Sequence, residues 1–284
     1  MPNNNRSLDD GSANAPWSYA PGCIRSPSRE NSLIEEAFWD SLDDGDSFAL
    51  DGKWVGVRQL GDGPAVLLLH GNDGRGSQFM SLIAALANAG MRAVTLDLLG
   101  FEEQVSDRLS VKDIAQAMLH VSTRARIRSD GWHGIVAHSL ANIWALHAAA
   151  LGLGCERYVS VGSACDAARC DAFVRALIDI EGMTRQGTQQ LAWRERPPVS
   201  SRSDWPRLGR SALIVQAADH DALPVERDAF AAAASWALRW PGSVYLALGG
   251  CSNDSVLTNS TFIDRTTRFL DPLPSPPMNT RDLF

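Results

Sequence analysis

From Gly63 onward the chain repeats one pattern. A short aliphatic run meets a polar or glycine-containing break, and a stretch with apolar residues at helical spacing follows. The run at 65–69, Ala-Val-Leu-Leu-Leu, has no polar residue on either parity. That is the signature of a strand buried on both faces of a sheet. Further strands are expected at 92–98, 134–137, 157–161, 212–216 and 243–248, and helices at 79–89, 111–126, 140–151, 228–239 and 261–270. Gly90 is placed to cap the first helix. The second shows its apolar side in Val111, Ile114, Met118 and Val121. Strands alternating with helices in this order predict an α/β fold: a mostly parallel, doubly wound sheet with helices on both faces.

The flanks read differently. Residues 1–30 are rich in Asn, Ser, Pro and Gly and are expected to form a disordered or loosely docked arm. A short amphipathic helix is expected at 32–42. A hairpin should follow, pairing 47–50 with 53–59 across Asp51-Gly52. The main domain is then 31–271, with an irregular Pro-rich tail at 272–284. Inside the domain the rhythm breaks between 163 and 210, a length that suits a small helical lid over one end of the sheet.

Composition narrows the function classes. The 284 residues carry a formal net charge of −7 and no basic stripe, which argues against nucleic acid as a partner. No apolar run approaches the roughly 18–20 residues of a membrane span, so no membrane partner is expected. The first residues lack the basic start and apolar centre of a secretory signal, and a cytoplasmic location is the expectation. The five cysteines, Cys23, Cys155, Cys165, Cys170 and Cys251, are odd in number and irregular in spacing. They suggest neither a disulfide framework nor structural zinc. Cys165 and Cys170, beside Asp166 and Asp171, read as residues at helix ends rather than as metal ligands. No metal and no cofactor is expected. The partner expected is a small-molecule substrate or ligand.

The most informative segment is Gly134-Ile-Val-Ala-His-Ser-Leu-Ala-Asn142, where an aliphatic strand runs straight into a serine and an apolar helix begins at once. A serine on such a turn projects its hydroxyl above the sheet edge, where the helix N-terminus offers unpaired N–H groups to developing negative charge. Small residues two before and two after, Ala137 and Ala141, let the turn close. The same pattern also suits an ordinary strand-to-helix turn with a capping serine.

These residues, with the loop His70-Gly71-Asn72-Asp73-Gly74-Arg75-Gly76 and the strand end Leu96-Asp97-Leu98-Leu99-Gly100-Phe101, resemble the α/β-hydrolase family over roughly Gly52 to Leu270. The loop is similar to that of bacterial esterase-like members. Membership implies Ser139 as nucleophile, with oxyanion N–H groups from Asn72 and Leu140. It implies an acid just past the strand at 212–216. Counting forward selects Asp221, with Asp219 second, and counting back from Pro224 lands on His220. It also implies glycine where Ala137, Ala141 and Glu102 stand, and a histidine after the last strand. The matching position there is Cys251, and no histidine follows His220 anywhere in the chain.

A serine hydroxyl needs a neighbouring base, and a thiol is a poor proton acceptor, so Cys251 is no like-for-like replacement. Three readings stay open at this point. The chain is a serine hydrolase for a small ester or thioester with an impaired or rewired triad, His220 being the candidate base. Or it is a pseudoenzyme or binding module that keeps only the cleft. Or Cys251 itself does covalent chemistry, or the pocket hosts a non-hydrolytic reaction. His138 is expected to point away from the site and His70 to be structural. Trp193, Trp205 and Phe173 are candidates to line an apolar pocket and equally candidates to anchor the core of the lid.

Overall fold

The structure, a computed structural model, describes residues 42–44, 47–50, 53–71, 75–97, 111–125, 131–139, 141–162, 208–217, 240, 242–253 and 255–272. The N-terminal arm, most of the lid-like segment and the tail lie outside the described residues, as do the helices expected at 32–42 and 228–239.

Nine strands are described: β1 (Asp43–Asp44), β2 (Phe48–Leu50), β3 (Lys53–Leu60), β4 (Ala65–Leu69), β5 (Arg92–Asp97), β6 (Trp132–His138), β7 (Cys155–Val161), β8 (Ser211–Ala217) and β9 (Val244–Leu248). The helices are α1 (Met80–Asn88), α2 (Val111–Arg124), α3 (Ala141–Ala150) and α4 (Ser260–Leu270). Short 3₁₀ turns at Gly76–Phe79 and Ser255–Thr258 precede α1 and α4. The sheet order is β1-β3-β5-β4-β6-β7-β8-β9, and β2 pairs β3 off this path. From β5 to β9 every pairing is parallel; β3 runs antiparallel to β1, β2 and β5. The expected hairpin is present, in the register Leu50↔Lys53 and Phe48↔Val55.

Alternation along the strands divides the core. Leu67 and Leu69 of β4 pack on one face with Ile135, Tyr158, Ile214 and the inner side of α2 and α3. Val66 and Leu68 pack on the other with Val136, Val159, Val215, α1 and α4. Both faces of β4 are therefore covered, which is why its sequence shows no polar alternation. Strand and helix ends differ from the sequence reading by a residue or two. β6 starts at Trp132, whose indole N–H donates to the Ser122 hydroxyl of α2 at 2.7 Å and holds the strand's first residue down.

The far edge of the second layer is tied by hydrogen bonds at the C-terminus of α4. Arg157 of β7 donates to the carbonyls of Phe269, at 2.8 Å, and Asp271. His133 Nε2 lies 2.6 Å from the Leu270 carbonyl. Donors of this kind meet the unpaired carbonyls of a helix end and stabilise its dipole. Among the described residues no helix is long and apolar enough to cross a membrane.

Candidate active site

β4, β5, β6, β7, β8 and β9 all deliver their carboxyl ends to one edge of the sheet. Loops at this edge are where open α/β sheets bind ligands. Ser139 leaves β6 there. Its φ is 52°, the one non-glycine residue in the left-handed region among those described. For a residue with a Cβ that conformation costs about 1–3 kcal/mol and persists only where the surroundings impose it. Here they do. The Ser139 N–H donates to the Val161 carbonyl of β7 at 2.8 Å, and the Ser139 carbonyl accepts from the Asn142 N–H at 3.2 Å. The serine is half-buried, while Ala137 and Ala141 on either side are fully buried against Ile135, Tyr158 and the rest of that core face. Their methyl groups thus gain apolar packing where a glycine would have none.

The exit of β4 presses against this turn. A Cβ on Gly71 would stand 3.1 Å from the Ser139 Cβ and 3.3 Å from His138 Nδ1. A side chain here would fit only if its neighbours gave way by a few tenths of an ångström. The loop is held from below by Asp97 at the end of β5. Its carboxylate accepts from the Gly76 N–H and lies 3.6 Å from His70 Nε2. His70 is buried, with Nδ1 2.7 Å from the Gly71 carbonyl. A carbonyl only accepts, so this ring nitrogen carries a proton.

The turn after β9 meets the serine turn through Asn253. Cys251 is buried at 4% exposure in the second core layer with Leu248, Val256 and Leu257, its Sγ 3.4 Å from the Leu248 carbonyl. Asn253, two residues on, touches the serine's surroundings. Its carbonyl accepts from His138 Nε2 at 2.9 Å. Its side chain covers Gly162, the residue after β7, where an added Cβ would collide with the Asn253 Oδ1. His138 therefore latches the post-β9 turn to the serine turn. Nothing in the chain order singles out Asn253.

The other site residues read from the sequence, Asn72, Leu140, Asp219, His220 and Asp221, lie outside the described residues, as do Phe173, Trp193 and Trp205. Among the described residues no three His, Cys, Asp or Glu side chains form a group able to hold a metal ion. Cys155, the second described cysteine, is buried at the start of β7, with its Sγ against the Leu208 carbonyl. Burial pushes its thiol far above the usual range, so it stays protonated and unreactive.

No family model matches the sequence, and no curated protein matches it. Solved structures do. A meta-cleavage product hydrolase mutant from Pseudomonas fluorescens is 15% identical with a TM-score of 0.59, covering 80% of this chain and 98% of its own. A carboxylesterase from Bacillus subtilis is 16% identical with a TM-score of 0.57, covering 85% and 98%. A bromoperoxidase from Bacillus anthracis is 15% identical with a TM-score of 0.57, covering 79% and 99%. At such identities the likeness is one of fold, and the chain has the α/β-hydrolase fold.

Proposed function

We propose that this α/β-hydrolase-fold chain is a serine hydrolase of low turnover acting on a small ester or thioester through Ser139, with an incomplete triad. The observation that carries the reading is the strained φ of Ser139 at the strand–helix turn, with Gly71 packed flush against it. Strain of this kind in a residue with a side chain persists at sites that use it. In the step, the Ser139 oxygen attacks the acyl carbon, its proton is taken up by a base, and the alcohol or thiol leaves with a proton. Water then releases the acid and restores the serine. The N–H groups of Asn72 and Leu140 are the proposed donors to the oxyanion, with Asp221 at the acid position. Roughly 10³–10⁴-fold catalysis over water survives the loss of one triad member in serine proteases, from the oxyanion hole and binding alone. The partner is a small molecule, with neither nucleic acid nor a membrane involved.

The first test is p-nitrophenyl acetate turnover by the wild type and Ser139→Ala. A drop of at least tenfold is expected; equal rates eliminate Ser139 chemistry. The base is identified by pH. If His220 serves, the rate levels off above an inflection near the imidazole value of about 6.5, and His220→Ala removes it. If no imidazole serves, log rate climbs steadily from pH 6 to 9.

A second reading, a binding module that keeps the cleft without the chemistry, is favoured by one observation. Cys251, at the position the family gives to histidine, packs into the core. A ligand that raises the Tm of wild type and Ser139→Ala equally, with turnover in neither, selects this reading.

A further inference from the structure

Asn142, three residues past Ser139, is buried at 1% exposure, and both polar atoms of its side chain are engaged. Its Nδ2 donates to the Ser139 carbonyl at 2.9 Å and to the Ala137 carbonyl at 3.1 Å, with the Val161 carbonyl at 3.4 Å. Its Oδ1 accepts from the Tyr158 hydroxyl at 2.7 Å. Tyr158 is itself fully buried in β7, with its ring stacked on Trp240 at 5.6 Å between centroids and 9° between planes. The Tyr158 hydroxyl fixes which way the amide faces, because only the oxygen can accept its proton.

The geometry of this contact is specific. The Ala137 carbonyl belongs to the peptide plane entering the turn, and the Ser139 carbonyl to the plane leaving it. Between those planes lie only the backbone dihedrals of His138 and Ser139. One amide group bonded to both therefore sets the rotation that puts Ser139 in the left-handed region. If Ser139 relaxed to negative φ, its carbonyl would swing away from Nδ2 and exchange the 2.9 Å bond for the longer contact to the Val161 carbonyl at 3.4 Å, a weaker pairing in a dry interior.

We propose that Asn142, oriented by Tyr158, is the positioning residue that holds Ser139 in its left-handed conformation and so sets the reactivity of its hydroxyl. This inference rests on the reading of Ser139 as nucleophile, and the test separates the two. The probe is a fluorophosphonate, which phosphonylates an activated serine oxygen with loss of fluoride. Its second-order labelling rate at Ser139 is measured by intact-mass spectrometry, with Ser139→Ala as the blank.

Asn142→Leu keeps the approximate volume and removes the donors; it is expected to label at least tenfold more slowly than wild type. Tyr158→Phe keeps the ring and its stack and removes only the hydroxyl; about a threefold loss is expected. Labelling of both variants within twofold of wild type overturns the proposal while leaving the nucleophile intact. If wild type itself does not label, the nucleophile reading fails. The inference is then decided by the Ser139 φ in a crystal structure of either variant: a negative φ supports it, and a φ within about 20° of the wild-type value, the ordinary scatter of a backbone dihedral, overturns it. Failure of both variants to fold assigns the network to stability alone and overturns it as well.

Discussion

The turn after β6 and the turn after β9 leave the same edge of the sheet, with β7 and β8 between their strands, yet they are built on opposite principles. After β6 the backbone takes a left-handed residue that carries a side chain, and three elements close on it: Gly71 from β4, Val161 from β7 and Asn142 from α3. After β9 the left-handed residue is Gly250, at φ 72°, with open space where a Cβ would be and no strain to hold. Its next residue, Cys251, folds back into the core, and only Asn253 returns to the serine turn. One turn is over-determined around a serine at positive φ. The other serves as an anchor. The conformation of the Ser139 turn and the packing of Cys251 rest on different contacts, so one can be kept whatever residue fills the other position.

Four experiments probe this contrast. The largest effect is expected at the joint between the turns. Gly162→Ala would drive a Cβ into Asn253 in a left-handed backbone. It should destabilise the fold by about 3 kcal/mol, read as a lowered urea midpoint with unchanged m. A loss below about 1 kcal/mol, the size of an ordinary substitution, would mean that the Asn253 side chain swings aside freely and that its cover over Gly162 holds nothing in place.

Cys251→His comes next. The imidazole would enter the apolar layer formed by Leu248, Val256 and Leu257. It should cost about 2 kcal/mol and leave p-nitrophenyl acetate turnover within twofold of wild type. A tenfold gain in turnover would break the contrast, since the β9 turn would then be able to present a base to Ser139.

Gly71→Ala tests the other side. Its Cβ would meet Ser139 and His138 at 3.1 and 3.3 Å, a tight fit rather than an impossible one. About 1 kcal/mol of stability should be lost, with fluorophosphonate labelling slowed about fivefold because the loop backs away from the serine. Unchanged labelling would show that the closeness of Gly71 does not matter to reactivity. The smallest effect is an expected absence of reaction. Cys155 and Cys251 both have buried thiols, and neither should be alkylated by iodoacetamide in the native protein at pH 7–9, as read by peptide mass spectrometry. Native alkylation of Cys251 with Cys155 intact would place that thiol in the cleft and reverse the comparison.

Much of the fold is legible along the chain. Ala65–Leu69 reads as a doubly buried strand, and the aliphatic run into Ser139 followed by an apolar helix reads as a sharp turn, because hydrophobic period and turn chemistry are local. The two-residue β1 and the antiparallel pairing of β3 with β5 are not legible, since neither pairing leaves a periodic trace in the sequence. At the site, Ser139 can be found from its neighbours. Asn142 cannot, and its only local signal is a polar amide in the first turn of an apolar helix. Its partners Ala137, Ser139, Val161 and Tyr158 are spread over two strands and the turn between β6 and α3, and meet only in the folded sheet.

Residue identity and period settle the order of strands and helices, the serine at the β6 turn and the lack of any histidine after His220. Packing cannot alter these. Only the folded chain fixes that Ser139 is held at positive φ, that Asn142 and Gly71 close on it there, and that Cys251 packs inward while Asn253 reaches the serine turn. The reason is physical. A strained conformation and a side chain's direction depend on contacts between strands distant in sequence, and no local preference encodes which of those contacts will form.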